Sequence, residues 1–141
     1  MPDGSAGCVF CEIVAGRAPA HVVAEDDGTL AFMDINPVNP GHVLVVPRRH
    51  ATDMFELSAD ELAAVASAGH RVAVRVRRAL EPPGMDLFMA NGEAGGQTAF
   101  HAHLHVIPRW PSDPWIDPWV PTPGDPGEIA AIAERIRDAG D

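Results

Sequence analysis

A run of alternating histidine and apolar residues constrains this chain more than any other feature: Phe100-His101-Ala102-His103-Leu104-His105-Val106-Ile107. Successive side chains of a β-strand point to opposite faces, so His101, His103 and His105 share one face, with neighbours about 7 Å apart. The apolar residues between them then face a core. The pattern predicts a strand over residues 99–108 that presents a row of imidazoles on one side.

Three adjacent imidazoles cannot all be protonated cheaply, so most of them should be neutral near neutral pH. A neutral imidazole is a nucleophile and a charged neighbour binds anions, so the row can attack a phosphate. Three solvent-exposed histidines are a second interpretation. A third is a metal site, because His-x-His pairs on strands are good zinc ligands. Spacing alone leaves the phosphate and metal hypotheses equal.

The loop before this strand contains Asn91-Gly92 and then Gly95-Gly96-Gln97-Thr98. Glycine lets backbone amides approach an anion closely, and Gln97 and Thr98 add neutral donors. Taken alone, the loop could equally be an ordinary glycine turn between two strands. Next to a histidine row it favours a phosphoester as the ligand.

The remaining pattern predicts an α+β fold: an antiparallel sheet of about five strands, one long helix and short terminal helices. A capping box, Ser58 to Glu61, starts the long helix, and Pro82-Pro83-Gly84 ends it. We expect helices at residues 8–15 and 128–139. We expect strands at residues 22–25, 30–33, 42–47, 85–90 and 99–108, with a hairpin turn at Asp26-Asp27-Gly28.

Composition limits the possible functions. The chain has 141 residues, 46% of them hydrophobic, which fits a single globular domain. A net charge of −10 argues against DNA or RNA as a partner, since both require a basic surface. The sequence has no apolar run that could span a bilayer and no secretory signal, which predicts a cytoplasmic protein without a membrane partner. The Trp- and Pro-rich stretch 110–126 is expected to cover the domain or a partner.

Two cysteines, Cys8 and Cys11, are spaced C-x-x-C near the N-terminus. A structural disulfide is disfavoured in a cytosolic protein, which leaves metal binding or redox chemistry.

Several ordered motifs resemble the histidine triad (HIT) hydrolases and transferases, whose signature is His-φ-His-φ-His-φ-φ with φ apolar. Residues 101–107 fit that signature at every position. Similar segments are Cys-Val-Phe-Cys-Glu-Ile at 8–13, Ala-Phe-Met-Asp-Ile-Asn-Pro at 31–37, Pro-Gly-His-Val-Leu-Val-Val-Pro-Arg-Arg-His at 40–50 and Gly-Gly-Gln-Thr at 95–98. The similarity covers about residues 8–109 of a single domain 1–141, and it is strongest to the branch that contains nucleoside phosphoramidases.

The resemblance implies a homodimer with joined sheets and a reaction through a nucleotidyl-histidine. It assigns His103 as the nucleophile that attacks the α-phosphate, with His101 in support and His42 orienting the cluster. His105 and the loop residues Gly96, Gln97 and Thr98 would hold phosphate oxygens.

The resemblance also implies a nucleoside pocket, with a purine as the expected base. Asp34 would accept hydrogen bonds from the ribose hydroxyls, although the residue could equally serve only in a turn. Asn91 would support the phosphate or the leaving group. The apolar slot for the base would be formed by Phe10, Ile13, Phe32 and Ile35, of which Phe32 and Ile13 could also be plain core.

Some bacterial members of the family bind zinc at positions that correspond here to Cys8, Cys11, His50 and His101. Such a site would be structural, and the chemistry itself would need no cofactor. Four functions follow from these patterns. They are a phosphoramidate hydrolase, a dinucleoside polyphosphate hydrolase that would have Arg109 as the cation directly after the triad, a regulatory nucleotide-binding protein, and a zinc enzyme with His101, His103 and His105 as ligands.

Overall fold

The computed structural model describes residues 5–115 and 121–140. Its strands are β1 (Val22–Glu25), β2 (Thr29–Met33), β3 (Val43–Pro47), β4 (Gly84–Phe88) and β5 (Leu104–Arg109), and its helices are α1 (Val9–Val14), α2 (Ala59–Leu80) and α3 (Pro126–Ala139). Short 3-10 turns lie at Met54–Glu56 and Glu93–Gly95. The strands form one antiparallel sheet in the order β1-β2-β3-β5-β4. This confirms the predicted α+β class with one long helix.

Both faces of the sheet are covered, and the alternation along each strand shows why. On β3, Val43 and Val45 pack under α2, whereas Leu44 and Val46 pack in a second apolar cluster with residues of α1. Successive strand residues face opposite ways, so one strand supplies both layers. Residues of this second cluster also line the candidate site.

Helix α2 begins as predicted. The Ser58 hydroxyl accepts a hydrogen bond from the Glu61 amide, and the Glu61 carboxylate accepts one from the Ser58 amide. The buried face of this helix consists of Val65, Ala68, Gly69 and Val72. The three- and four-residue spacing of apolar residues predicts a face that includes Ala66 and Leu80 and omits Ala68. That prediction was partly wrong, since Ala66 and Leu80 are exposed and Ala68 is buried. A helix buries only the stripe of residues along one side, so a segment this rich in alanine and other apolar residues leaves some of them exposed.

The predicted strand at 99–108 was too long. Strand β5 begins only at Leu104, because the backbone before it leaves the ladder: the Ala102 amide donates to the Ala51 carbonyl at 2.7 Å. The partner strand β4 ends at Phe88, which is paired with His105, and not at residue 90 as predicted. Two of the three histidines therefore lie on an extended segment outside the sheet.

The chain after β5 turns back along the sheet edge. Trp115 packs against Phe88 with ring centroids 5.8 Å apart, and residues 116–120 of the predicted Trp/Pro stretch lie outside the described residues. Helix α3, capped by Asp125, leaves its isoleucines exposed. Within the described ranges, no helix is both long and apolar enough to cross a bilayer.

Candidate active site

A cavity of about 470 Å³ opens on the α1 face of the sheet, at the ends of β2 and β5. It collects predicted site residues from segments far apart in sequence: Phe10, Ile13, Phe32, Asp34, Ile35, His42, Thr98, His103 and His105. Three predicted residues, Asn91, Gly96 and Gln97, are not among those that line it. His101 lies beneath the cavity, in contact with Phe10, with ring centroids 5.9 Å apart.

Strand register places His105 in the wall of this cavity. His105 is opposite Leu44 of β3 on one side and Phe88 of β4 on the other. Directly opposed side chains share a face, and the Phe88 and His105 rings stack with centroids 4.4 Å apart. Phe88 thus fixes the plane of the His105 imidazole.

His42 sets the tautomer of His105. The Val38 amide donates to His42 Nδ1 at 3.0 Å, so the proton of the neutral His42 ring must be on Nε2. That nitrogen lies 2.9 Å from His105 Nδ1 and 3.4 Å from an Asp34 carboxylate oxygen. His42 therefore donates to His105 Nδ1, which leaves the proton of His105 on Nε2, where it can be donated to a ligand.

His103 is oriented by its own backbone. Its Nδ1 lies 2.8 Å from the His101 carbonyl oxygen. A carbonyl only accepts, so the His103 proton is on Nδ1 and the lone pair is on Nε2. Within the described part of the chain, no group hydrogen-bonds to that Nε2. The ring is buried but lines the cavity beside His105, with centroids 4.8 Å apart.

The environment of His105 and His42 favours their neutral forms. Burial lowers the pKa of His105 to about 4, and the neighbouring His103 and His42 lower that pKa further. Burial is also the main cause of the lowered pKa of His42, against which the Asp34 carboxylate raises it. Neutral rings are what the nucleophile and the donor roles require, since a protonated imidazole has no lone pair to offer.

In the glycine-rich loop, the hydrogen-bond donors left available for a ligand lie on Thr98. The Gly96 and Gln97 amides donate to carbonyls of the same loop, those of Glu93 and Gly92. The Gln97 side chain is also occupied, accepting from the Gly92 amide and donating to the Thr52 and Ala99 carbonyls. Among the described residues, neither the amide nor the hydroxyl of Thr98 has a hydrogen-bond partner.

Asn91 also has a role inside the protein. Its side-chain carbonyl accepts from the Met54 amide at 2.8 Å, and its amide donates to the Met89 carbonyl. These bonds tie the loop to the turn before α2. In this structure Gln97 and Asn91 support the loop, and Thr98 faces the cavity.

The apolar end of the cavity is formed by α1 and β2. Phe10 meets Phe32 edge to face at 5.4 Å and meets His103 at 5.3 Å. Phe32 and Ile13 belong to the apolar cluster under α1 as well as to the cavity wall. Ile35 is 84% exposed at the rim. A flat apolar ring fits between such walls.

Beside the cavity, Cys8, Cys11, His50 and His101 bring their ligand atoms within 4.8 Å of one another. His101 Nε2 bonds to the Pro47 carbonyl at 2.8 Å, so its Nδ1 lone pair faces both sulfurs at 3.5 Å. The buried His50 ring points Nδ1 at Cys11 Sγ, 3.2 Å away. Its Nε2 is buried with no hydrogen-bond partner among the described residues.

These four residues fit zinc. Tetrahedral zinc with bonds of about 2.0–2.3 Å to nitrogen and sulfur sets its ligand atoms about 3.5 Å apart, which matches the observed sulfur-to-nitrogen distances of 3.2 Å and 3.5 Å. Both cysteines are free thiols, so no disulfide competes for the sulfurs. Across the described residues, the candidate ligand groups place His101 with the cysteines and never with His103. This arrangement disfavours a catalytic metal held by the three triad histidines.

Sequence reasoning missed three residues around the cavity. Phe88 and Trp115 line it, and Asp113 holds the turn that delivers Trp115. The buried Asp113 carboxylate accepts from the amides of Trp110 and Trp115, from Asn39, and from Arg109. An acidic residue between tryptophans and prolines is a turn signal, but no periodic pattern showed what the turn would position.

Arg109 is engaged within the protein. Its guanidinium pairs with Asp113 at 2.8 Å and with Asp86 at 2.6 Å. Hydrogen bonds that the guanidinium donates to these carboxylates hold the pKa of Arg109 well above its ordinary value. Arg109 was the cation expected to bind a polyphosphate chain. Its charge is neutralised by the two neighbouring carboxylates.

Comparison with known proteins supports the fold. The HIT domain family model matches residues 15–112. Adenosine 5'-monophosphoramidase hnt1 of Schizosaccharomyces pombe is 35% identical over 130 residues, 92% of this chain and 95% of the relative. A solved Streptococcus mutans structure superposes with a TM-score of 0.93 at 33% identity, covering 100% of this chain and 90% of that one.

A zinc-bound histidine triad protein from Mycobacterium smegmatis has a TM-score of 0.74 at 35% identity, covering 98% of this chain and 100% of that one. The sheet, the helix and the histidine cluster together define an α+β protein with a cavity lined by imidazoles. The chain belongs to the HIT family.

Proposed function

We propose that this protein is a nucleotide hydrolase or transferase that cleaves nucleoside 5'-phosphoramidates, or related nucleoside monophosphate conjugates, through a nucleotidyl intermediate on His103. The observation that carries the proposal is the fixed His103 tautomer. The His101 carbonyl holds the proton on Nδ1, so the Nε2 lone pair is directed into the cavity. The name of the fission yeast relative supports a phosphoramidate as the substrate class.

In the first step the His103 Nε2 lone pair attacks the α-phosphorus and the bond from phosphorus to the leaving group breaks. His105 Nε2–H and the Thr98 donors then hold the phosphate oxygens, which gain negative charge as phosphorus becomes five-coordinate. In the second step water attacks the phosphorus, the bond to His103 breaks, and the nucleoside monophosphate is released. Gln97 and Asn91 act by holding the loop, which is a more indirect role than the one first expected.

The nucleoside is placed by the rest of the cavity. We propose that Asp34 accepts hydrogen bonds from the ribose hydroxyls, since its carboxylate lies at the cavity rim with one oxygen bonded to the Asn36 amide and the other near His42. A purine ring between Phe10, Phe32 and Ile35 fits the flat apolar slot. The structural zinc of the four-ligand cluster would tie α1 to the segment that ends at His103.

Dinucleoside polyphosphates are disfavoured as substrates, because the guanidinium of Arg109 is already paired with two carboxylates. A purely regulatory nucleotide-binding role is disfavoured by the ordered tautomers, which binding alone does not need. We further propose one domain over the whole chain, a cytoplasmic location and a homodimer. The edge strand β4 exposes Leu87 and offers unpaired backbone groups that a second copy could cover.

A substrate panel tests the proposal. Adenosine 5'-phosphoramidate, a dinucleoside polyphosphate and ATP are each incubated with the protein and the products are separated by chromatography. The proposal expects adenosine monophosphate from the phosphoramidate at a rate well above that from the other two. No release from any of the three, or a faster release from the polyphosphate, would overturn the substrate assignment.

A further inference from the structure

A second groove, of about 380 Å³, adjoins the active-site cavity on one side. The two share a boundary formed by Val9, Phe10, Thr98 and Ala99. Beyond this boundary the groove is walled by Ala6, Gly7, Cys8, Phe100 and His101. Neither Asp34, His42 nor His105 lines it, so the groove leads away from the proposed sugar end and starts beside the phosphate donors of Thr98.

The groove has both polar and apolar walls. Among its described lining residues there is no Asp, Glu or Arg. Cys8 and His101 line the groove, and Cys8 Sγ lies 3.5 Å from His101 Nδ1 within the proposed metal cluster. The remaining wall is made largely of Val9 and Phe100, and Phe100 is 50% exposed. An aromatic ring left half in water gains from contact with another apolar group, whereas an anion would find no cation here.

We propose that this groove binds the leaving group of the substrate, and that this leaving group is an amine with an uncharged, apolar substituent. The inference rests on the proposed nucleotidyl transfer to His103. A substrate phosphorus held by His105 and Thr98, with its nucleoside toward Asp34, has one substituent left to accommodate. The groove that begins at Thr98 is contiguous with that position.

The chemistry balances for an amine. As the bond from His103 Nε2 to phosphorus forms, the phosphorus–nitrogen bond breaks and its electron pair stays on nitrogen. That nitrogen takes a proton from solvent at the groove mouth and leaves as the amine. Water then replaces His103 on phosphorus and gives its proton back to solvent, so one water is consumed for each turnover. Phe100 contacts only the substituent on the nitrogen, which makes it a specificity residue.

Two substrates with the same nucleotide isolate this contact. Adenosine monophosphate is joined to ammonia in the first and to 2-phenylethylamine in the second, and kcat/KM is measured for both. Phe100→Ala should lower the ratio of the phenylethylamine value to the ammonia value about tenfold, the usual effect of losing an apolar contact in a specificity pocket. Phe55→Ala is the matched control, since Phe55 is 80% exposed and lines neither cavity.

A second variant tests the same contact by gain of function. Phe100→Arg should raise kcat/KM for the conjugate of β-alanine, whose carboxylate would meet the new cation, by about tenfold relative to the ammonia substrate. Circular dichroism and zinc content confirm that each variant is folded. Ratios equal to wild type in both variants would overturn the groove assignment while leaving the proposed function intact. If the wild-type protein cleaved none of the three phosphoramidates, both the groove assignment and the proposed function would be wrong.

Discussion

Replacing His42 with alanine removes the group that sets the His105 tautomer. The His42 ring is 2% exposed and makes two hydrogen bonds, one from the Val38 amide and one to His105 Nδ1 at 2.9 Å. Alanine cannot replace either bond. It leaves a half-buried donor on Val38 and a half-buried acceptor on His105 without partners.

The two losses have different consequences. An unsatisfied buried polar group costs about 1–3 kcal/mol. At Val38 this cost lowers the free energy of unfolding. At His105 it allows the proton to move to Nδ1, which removes the Nε2–H that we propose donates to the substrate phosphate. A loss of about 1–3 kcal/mol in transition-state stabilisation, at about 1.4 kcal/mol for each factor of ten, lowers kcat/KM about 5- to 150-fold.

The assay compares kcat/KM for adenosine 5'-phosphoramidate in three variants. His42→Ala should show the full loss. His42→Gln should recover part of it, because a glutamine carbonyl can accept from Val38 and its amide can donate to His105. His70→Ala, on the exposed side of α2, is the control. A folded His42→Ala protein within twofold of wild type would show that the tautomer reasoning is wrong.

Three further predictions concern the metal, the sugar and pH. Elemental analysis should find about one zinc per chain, with Cys8→Ser lowering both zinc content and Tm and His103→Ala retaining the metal; the opposite pattern would indicate a catalytic metal. Asp34→Asn should abolish the preference for ribose over dideoxyribose nucleotides, which we expect to be about 1–3 kcal/mol in binding; equal wild-type affinities would remove Asp34 from the sugar site. The pKa of His105 is about 4 in the folded protein, against about 6.5 in an unfolded chain. Between these two pH values the unfolded chain binds a proton that the folded protein does not, so the free energy of unfolding should fall as pH falls from about 6.5 toward about 4. Thermal unfolding at pH 7.5 and 5 should show a smaller loss in His105→Gln than in wild type, and an equal loss would contradict the assignment.

Much of the fold could be predicted from short-range patterns. The capping box at Ser58 located the start of α2, because its two hydrogen bonds depend only on residues three apart. The turn at Asp26 likewise joins β1 to β2, with the Asp26 side chain accepting from the Gly28 and Thr29 amides. These features are local, so the sequence alone contains the information.

Long-range pairing could not be predicted in the same way. Alternation at residues 99–103 is typical of a strand, but a strand also needs a partner, and here the Ala102 amide bonds to Ala51 instead. His101 consequently faces the cysteines and His103 faces the cavity, although the alternation placed both on one face of a single strand.

The same limit applies to individual site residues. Gln97 was expected to contact phosphate from its place in the motif, and its side chain instead bonds to three backbone groups. Phe88 and Trp115 were missed because their place in the cavity depends on strand register and on the Asp113 turn. The roles of the predicted site residues in binding and catalysis stay predictions until they are measured.

The central claim is a covalent bond between His103 and the nucleotide phosphorus. Rapid-quench mixing with adenosine 5'-phosphoramidate, followed by mass analysis of the intact protein and of its peptides, tests it directly. We predict a transient adduct of one adenosine monophosphate on the peptide that contains His103. In His103→Ala the adduct should be absent and turnover should fall about 10⁴-fold or more. Turnover without an adduct, an adduct on another residue, or a His103→Ala enzyme within tenfold of wild type would contradict the account.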